Sequence, residues 1–338
     1  MTISTIGLDL GKSVFQVHGV DAHGKVVVTR QLRRAGVLGF FANLPRCLIG
    51  LEACATAHHW ARAIGGLGHD VRLMPPQYVR PYVKRSKTDR ADAAAICEAV
   101  QRPTMRFVAV KTEQQQGMLV IHRVRETLVG QRIQLINALR GHLAEFGIIA
   151  PQGAANVRDL IGRLADAEEV PAIARGVLQI LVDQLRHSEE RIAEFDAQLA
   201  EQAGRDETVQ RLMSVPGVGP IVATALVATI GDARTFRSGR HLAAWIGLVP
   251  GQRSTGGKER LVGITKAGDG YLRRLLVNGA RALTRWWRTR SPWLMGLLAR
   301  RPVNVAAVAL ANKLARIVWA VMVRGEPYRL GGIVPGAA

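Results

Sequence analysis

The alternation of side chains near the start of the chain constrains the fold more than any other feature. In STIGLDLG the apolar residues Ile6, Leu8 and Leu10 fall on one side of an extended segment, and Asp9 falls on the other. Two more runs with strand character, VFQVHGV and KVVVTR, follow across short connections. Residues 3–31 therefore predict three strands joined as a meander.

Helix and strand patterns alternate in the segment that follows. Residues 34–44 predict a helix, CLIGLEA a short buried strand, TAHHWARAIGGLG a helix that ends at glycine, and HDVRLM another strand. Thr88 can cap a further helix that continues through ADAAAICEAV. Three strands and a helix, then a β-α-β unit and a helix, are typical of a ribonuclease-H-like α/β sheet. This fold is predicted for residues 1–108.

Helical periodicity replaces strand alternation in the middle of the chain. Residues 112–146 form one run with almost no Gly or Pro before its end, and VLQILVDQLRHSEERIAEFDAQLAE places apolar residues at three- and four-residue spacing. A helical or coiled-coil domain is therefore predicted for residues 109–204. It would serve to hold two active parts of the protein apart or to form a dimer.

The third predicted domain, residues 205–330, is mainly α-helical and is followed by a short tail, residues 331–338. It begins with a helix, the turn PGVG and a second apolar helix, which together suggest a helix-hairpin-helix-like element. Gly217 and Gly219 would let backbone N–H groups face a phosphate, although an ordinary turn between helices is the alternative. Two further helices are predicted, at Tyr271–Arg288 and Val303–Arg324.

The charge of the chain is strongly positive and unevenly distributed. The formal net charge is +20. Counted from the sequence, residues 1–105 carry +7, residues 106–205 carry −1 and residues 206–338 carry +14. An excess of this size indicates a polyanionic partner, and nucleic acid is the first candidate.

Membrane and secretory functions are disfavoured by the composition. The chain contains no run of about 18 uncharged apolar residues, and its first residues do not resemble a signal peptide, so a cytosolic location is expected. Cys47, Cys54 and Cys97 lack the spacing of a zinc site and are expected to be reduced.

Four acidic residues occupy places where a carboxylate without a partner would be costly or unusual. Asp9 lies within a predicted strand, Glu52 ends another, and Asp89 and Asp92 lie three residues apart at a helix start, so both face one way. GLDLGK also begins the first phosphate loop of actin-like ATPases, but the second glycine-rich loop of that fold is missing. Together the four carboxylates suit Mg²⁺, which prefers hard oxygen ligands and binds phosphate oxygens.

The stretch GQRSTGGKERL combines hydroxyl, glycine and basic residues. It predicts either a solvated basic turn or a nucleophile held against a phosphate. In the second case Gly256 and Gly257 would let backbone amides approach the phosphate. Ser254 is preferred as the nucleophile because a primary hydroxyl is less hindered, and Thr255 remains the alternative.

These motifs together resemble a known family. Asp9 in GLDLGK, Glu52 in LEAC, and Asp89 and Asp92 in KTDRADA resemble the DEDD tetrad of insertion-sequence transposases that include the Piv-type DNA invertases. The runs SVPGVGPIVATALVATIGDARTF and AAWIGLVPGQRSTGGKERLVGITKAGDGYLRRLLV resemble the C-terminal transposase domain of the same family. The likeness spans nearly the whole chain, with the helical linker between the two motif blocks.

The resemblance implies a fold, a mechanism and partners. It implies a RuvC-like N-terminal domain, and a C-terminal serine, Ser254, that forms a covalent 5′-phosphoserine link with DNA. The DEDD carboxylates would hold Mg²⁺, with Mn²⁺ as the alternative. The partners would be double-stranded target and donor DNA and a structured non-coding bridge RNA. Two halves of one site would come from different subunits as dimers assemble into a tetramer, in the cytoplasm of a bacterium, on its nucleoid.

The predicted function is therefore RNA-guided cutting and rejoining of DNA. The alternatives are a metal-only nuclease or junction resolvase in which water attacks, and a non-catalytic nucleic-acid scaffold. Nucleic-acid contacts are predicted for basic and glycine residues near the motifs: Lys12, Lys84, Arg85, Lys87, Gly217, Gly219, Arg253, Lys258, Arg260, Lys266, Arg273 and Arg274.

Overall fold

The chain divides into two compact units. They are Met1–Gln114, the N-terminal unit, and Gln115–Ala338, the C-terminal unit. The computed structural model describes residues 2–84, 88–151, 153, 155–166, 168–286 and 291–329. The predicted contact residues Arg85 and Lys87, and the predicted tail, lie outside the described residues.

The N-terminal unit is built around a five-stranded sheet of order β3-β2-β1-β4-β5. Strands β1, β2 and β3 pair antiparallel, which confirms the predicted meander, and β1, β4 and β5 run parallel to their neighbours. The elements are β1 Thr5–Asp9, β2 Val14–Val20, β3 Val26–Arg33, α1 Val37–Ala42, β4 Leu48–Glu52, α2 Ala57–Gly65, β5 Asp70–Met74, α3 Pro76–Val79 and α4 Asp89–Val100. The predicted mixed α/β architecture with a central sheet is confirmed.

The two faces of this sheet are covered in different ways. One face presents Ile6 and Leu8, both fully buried, to a core that includes Phe41 of α1 and Trp60 of α2. The other face presents Gly7, against which the backbone of α4 packs directly. A Cβ atom on Gly7 would lie 2.1 Å from the carbonyl oxygen of Ala93. Glycine is therefore required where α4 crosses β1.

The C-terminal unit is mainly helical, as predicted. The bounds are α5 Glu113–Ala144, α6 Ala155–Asp166, α7 Ala172–Arg205, α8 Glu207–Met213, α9 Pro220–Ile230, α10 Gly239–Trp245, α11 Gly270–Trp286, α12 Pro292–Leu298 and α13 Val303–Arg324. One apolar core joins α5, α6 and the start of α7, and another joins the helices from the end of α7 to α13.

An antiparallel hairpin, β6 Pro250–Gln252 with β7 Leu261–Ile264, interrupts this helical order. The mainly helical prediction for this domain did not include it. The hairpin contains the whole stretch that raised the question of a nucleophile.

A buried polar cluster joins three helices of the C-terminal unit. His122 of α5 is 1% exposed, and its two ring nitrogens lie 3.0 Å from the hydroxyl of Tyr271 in α11 and 3.1 Å from that of Thr224 in α9. Burial lowers the pKa of His122 to about 4, so the ring is neutral at physiological pH. Such a ring donates one hydrogen bond and accepts the other without leaving a buried charge.

Among the described residues, one helix, α13, is long and apolar enough to cross a membrane. Its residues Leu310, Leu314 and Val318 are buried in the C-terminal core. These contacts are those of a core helix.

The contact between Gly7 and α4 predicts a sharp difference between two glycine substitutions. Gly7→Ala should lower the free energy of unfolding by about 2–3 kcal/mol, because backbone atoms must move to admit one methyl group. Gly39→Ala in α1 is the matched control, since no atom lies within 4 Å of the added Cβ. Urea denaturation of the two variants, followed by circular dichroism, would measure both effects. Equal midpoints would contradict this account of the interface.

Candidate active site

Two of the predicted acidic residues lie at the carboxyl ends of neighbouring parallel strands. Asp9 is the last residue of β1 and Glu52 is the last residue of β4. The register pairs Leu8 with Leu51, so Asp9 and Glu52 follow at the same edge of the sheet. Both side chains are half-buried.

The other two acidic residues occupy the first turn of α4. Thr88 caps this helix, because its hydroxyl accepts a hydrogen bond of 3.2 Å from the backbone N–H of Ala91. The capping prediction is thereby confirmed. Asp89 and Asp92 follow it, and α4 packs on the sheet face to which Asp9 belongs.

The electrostatic state of Asp9 reflects this arrangement. Burial first, and then the negative charges of Asp92, Asp89 and Glu52, raise its pKa from 3.8 to about 6. Each of the three carboxylates thus lies close enough to oppose ionisation of Asp9. The structure brings the four predicted acids together at one edge of the sheet.

The donor set suits a divalent cation, although the side chains do not form a closed ligand shell. Within the described ranges, no group of three or more His, Cys, Asp or Glu side chains is arranged to hold an ion as it stands. Like charges repel, so four carboxylates keep apart unless a cation balances them. Acid oxygens are the ligands that Mg²⁺ and Mn²⁺ prefer. Burial and the repulsion of three other acids both raise the pKa of Asp9, and such a cation would relieve that repulsion.

Two predicted basic contacts of the N-terminal unit are exposed, but they differ in their surroundings. Lys12 lies in the turn between β1 and β2, close in sequence to Asp9. Lys84 forms an ion pair with Glu98, with 2.8 Å between Nζ and Oε2. Its ammonium group is therefore shared with an acid of α4.

The predicted nucleophile lies in the β6–β7 hairpin and is exposed. Two donors meet the Ser254 hydroxyl oxygen: the side-chain amide of Gln252 at 2.8 Å and the backbone N–H of Arg260 at 3.3 Å. Both bonds direct partly positive hydrogens at Oγ and so favour its alkoxide form. In the described residues no corresponding contact is made to the hydroxyl of Thr255, whose backbone oxygen instead accepts the N–H of Lys258 at 3.0 Å.

Two glycines shape the tip of this hairpin. Gly256 and Gly257 have φ values of +54° and +75°, which are the left-handed values of a tight two-residue hairpin turn. No atom lies within 4 Å of a Cβ added at either position, so the turn conformation, and not close packing, requires glycine. The sequence predicted either a basic turn or a loop that carries a nucleophile. The two are compatible, because Ser254 lies just before the turn and is not part of it.

The predicted basic contacts of the C-terminal unit fall into two groups. Arg253, Lys258, Arg260 and Lys266 are exposed. Arg273 instead donates two hydrogen bonds of 2.8 Å, to the carbonyl oxygens of Ile246 and Ala267.

Arg274 is also engaged within its own unit. It forms an ion pair with Glu126 and lies 5.6 Å from the ring centroid of Tyr271. Both arginines therefore stabilise the fold, and DNA contact by them stays a prediction.

The two glycines of PGVG have different surroundings. Gly217 has a φ of +79°, and a Cβ there would lie 2.9 Å from Leu283 and 3.1 Å from the carbonyl oxygen of Gly279. It permits close packing of α11 on the turn. Gly219 is exposed, immediately precedes α9, and has no atom within 4 Å of an added Cβ. Of the two glycines, Gly219 is therefore the one with open space for a phosphate.

Sequence reasoning missed Gln252, which contacts the proposed nucleophile. A signal was available, because residues two apart in a strand project to the same side. Gln252 stands two residues before Ser254, at the end of β6.

Comparison with known proteins links both motif blocks to transposases. Residues 6–148 match a DEDD transposase family of IS110 type, and residues 209–294 match the family described as Transposase IS116/IS110/IS902. A probable family 20 transposase of Pseudomonas aeruginosa is 53% identical over 98% of this chain and 100% of its own length.

Two other relatives are similar along nearly all of the chain. The transposase for insertion sequence element IS1328 of Yersinia enterocolitica is 43% identical, over 96% of this chain and 98% of the relative. The transposase for insertion sequence element IS1111A of Coxiella burnetii is also 43% identical, over 97% and 92%.

The burial of Asp9, together with its repulsion by three other acids, predicts a pH-dependent gain in stability for Asp9→Asn. The pKa of Asp9 is higher in the folded protein than its ordinary value of 3.8. Ionisation of Asp9 therefore lowers the free energy of unfolding as the pH rises from 3.8 to about 6. With divalent ions chelated, Asp9→Asn should therefore raise the free energy of unfolding at pH 7.5, and the gain should disappear by about pH 4. We expect on the order of 1 kcal/mol, since solvent screens a half-buried group.

The control for this measurement removes an acid that has a partner. Asp70→Asn takes away a carboxylate that lies 2.8 Å from Arg72, and it should bring no gain. Urea midpoints at the two pH values would be compared. An unchanged midpoint for Asp9→Asn at pH 7.5 would contradict the raised pKa of Asp9.

Proposed function

Because the chain belongs to the IS116/IS110/IS902 transposase family, we propose that it cuts and rejoins DNA through a covalent link between Ser254 and a 5′-phosphate. Membership of this family makes it an insertion-sequence transposase, an enzyme that cuts and joins DNA. The observation that carries the serine link is the pair of hydrogen bonds to Ser254 Oγ, and the four carboxylates around Asp9 support a metal ion at the phosphate.

The N-terminal unit is proposed to be RuvC-like. The strand order β3-β2-β1-β4-β5, with β2 antiparallel to β1, supports this assignment. Asp9, Glu52, Asp89 and Asp92 would hold Mg²⁺, or alternatively Mn²⁺. When bound, the metal supplies positive charge where the scissile phosphate gains negative charge.

Ser254 is proposed to be the nucleophile. Its Oγ forms a bond to phosphorus, the bond from phosphorus to the 3′-oxygen breaks, the serine proton leaves to water, and the 3′-oxygen takes up a proton. The hydrogen bonds from Gln252 and from the Arg260 backbone support this role, because they favour the alkoxide. Attack by a 3′-hydroxyl of another strand then breaks the bond between phosphorus and Oγ and returns a proton to the serine.

Basic groups of the hairpin would stabilise the charge of this reaction. Arg253, Lys258 and Arg260 are exposed beside Ser254. Charge-assisted contacts from such side chains stabilise a pentavalent phosphate, which carries more negative charge than the diester.

Guidance by RNA and assembly into a tetramer complete the proposal. The resemblance to bridge-RNA-guided transposases supports both, and the net charge of +20 suits a protein that binds RNA and two DNA duplexes. RNA pairing would select the target and donor sites, while the protein binds the backbones. The acids of one subunit and Ser254 of another would form one site, on DNA in the bacterial cytoplasm.

A metal-only nuclease is the second candidate. The observation that favours it is that all four acids belong to the N-terminal unit, without any residue of the hairpin. In that mechanism water attacks the phosphate and no protein–DNA link forms.

A trapped intermediate would separate the two mechanisms. Protein, Mg²⁺, RNA from the flank of the element and end-labelled donor and target DNA would be incubated and then denatured. We expect label to remain with the wild-type protein and with Thr255→Ala, and to be lost from Ser254→Ala and Asp9→Asn. Omission of the RNA should also abolish the adduct.

Each other result has a distinct meaning. Loss of the adduct in Thr255→Ala alone would move the nucleophile by one residue. Cleavage with no adduct in any sample would exclude the serine mechanism and favour the metal-only nuclease. An adduct that forms equally well without RNA would contradict guidance by RNA.

The contact between Gln252 and Ser254 predicts a smaller kinetic effect. Gln252→Leu removes a donor from Oγ and should slow adduct formation about 3- to 10-fold, the value of one hydrogen bond. Single-turnover measurements would give this rate. Gln131→Leu, at an exposed glutamine of α5, is the control and should leave the rate unchanged.

A further inference from the structure

A cavity of about 330 Å³ lies beside α4 in the N-terminal unit. Ala91, Ala94 and Ala95 form its helical wall, and His18 of β2 lines it as well. Because alanine side chains are short, the cavity extends to the surface of the helix itself. We call it the α4 cavity.

The polar groups of the α4 cavity are predominantly donors and cations. Tyr82, Lys84 and Arg90 line it, as does the carboxylate of Glu98. This acid is already neutralised, because Lys84 lies 2.8 Å from it and Arg102 lies 2.7 Å from it. The guanidinium of Arg90 has no ion-pair partner in the described part of the chain, so the cavity has a positive excess.

His18 adds a further donor. It is opposite Gly7 in the β1–β2 register and so lies on the sheet face that α4 covers. Its Nδ1 is enclosed and has no hydrogen-bond partner among the described residues. A buried lone pair is less costly than a buried N–H without an acceptor, so we place the hydrogen on Nε2, the nitrogen that can face the cavity.

The charge of Arg90 affects this histidine. Burial first, and then the guanidinium of Arg90, lower the pKa of His18, so the ring stays neutral and Arg90 lies near it. The N-terminus of α4, the positive end of the helix dipole, begins at the same cavity, because Thr88 also lines it. Neutral imidazole N–H, guanidinium and ammonium together form a site for an oxyanion.

We propose that the α4 cavity binds one backbone phosphate of a nucleic-acid strand, at a position different from the phosphate that is cut. This inference rests on the proposed function, since it takes the strand to be one that the acids act on. A phosphate suits the site better than a base, because the Tyr82 ring already has the guanidinium of Arg102 at 5.7 Å from its centroid.

The spacing around α4 separates the two phosphate positions. At about 100° per residue, Asp89 and Asp92 project from a different side of the helix than Ala91, Ala94 and Ala95. The phosphate bound in the α4 cavity is therefore a different one from the scissile phosphate, and Arg90 positions the strand.

The test measures binding and requires no cleavage. All proteins would be full-length and carry Asp9→Asn, which stops either proposed mechanism. Arg90→Ala would be compared with Arg46→Ala, which removes the same charge from an exposed site before β4, at the opposite edge of the sheet. Alanine favours helix formation, so Arg90→Ala should leave α4 folded.

The probes are a DNA duplex that spans the end of the element and RNA from its flank. Each would carry a single uncharged methylphosphonate in place of one phosphate, at successive positions. Arg90→Ala should reduce the slope of log affinity against log salt by about 1, relative to Arg46→Ala. At one position, a methylphosphonate should weaken binding by the Arg46→Ala protein. The same methylphosphonate should not lower the affinity of the Arg90→Ala protein, which already lacks the contact with that phosphate.

The outcomes decide both the site and the source of the phosphate. Loss of that sensitivity at a DNA position, or at an RNA position, would support the proposal and identify the strand. Equal salt slopes for the two variants, with no position that couples to Arg90, would overturn it. Only binding is measured, since no protein in this test cleaves DNA. The result can therefore be interpreted even if the serine mechanism proves wrong.

Discussion

The contact of one helix backbone with the glycine face of the sheet determines where the acidic residues of the N-terminal unit lie. A Cβ atom at Gly7 would lie 2.1 Å from a carbonyl oxygen of α4, and one at Gly50 would lie 2.8 Å from Val100. Because the two glycines place no side chain of β1 or β4 against α4 at these positions, the helix lies close to the sheet and its first turn stands at the carboxyl ends of these strands. Asp89 and Asp92 thereby reach the surroundings of Asp9.

The same geometry imposes an electrostatic cost that the protein retains. Asp9 is half-buried, and three other carboxylates oppose its ionisation. A group of this kind weakens the fold at neutral pH unless a cation or proton balances it. This cost is explained if the four acids serve chemistry on phosphates. The basic residues elsewhere on the chain attract the DNA, which the acids alone would repel.

Local signals in the sequence predicted more than remote ones did. The meander, the strand that ends at Glu52 and the cap at Thr88 depend on neighbouring residues, and the structure confirms them. The β6–β7 hairpin was missed because its strands are short and exposed and lack apolar alternation, although two adjacent glycines mark such turns. The internal role of Arg273 depends on a carbonyl 27 residues away, and no local pattern reveals such a partner.

The hairpin that presents Ser254 has a consequence for how the protein tolerates change. Its side chains from Gln252 to Gly263 are exposed, so its shape comes from its own turn and from backbone pairing, while the apolar cores lie elsewhere. Apart from the two turn glycines, substitutions there should scarcely affect the packing of these cores. Such a loop can diverge, or be exchanged between relatives, without a new core having to evolve around it.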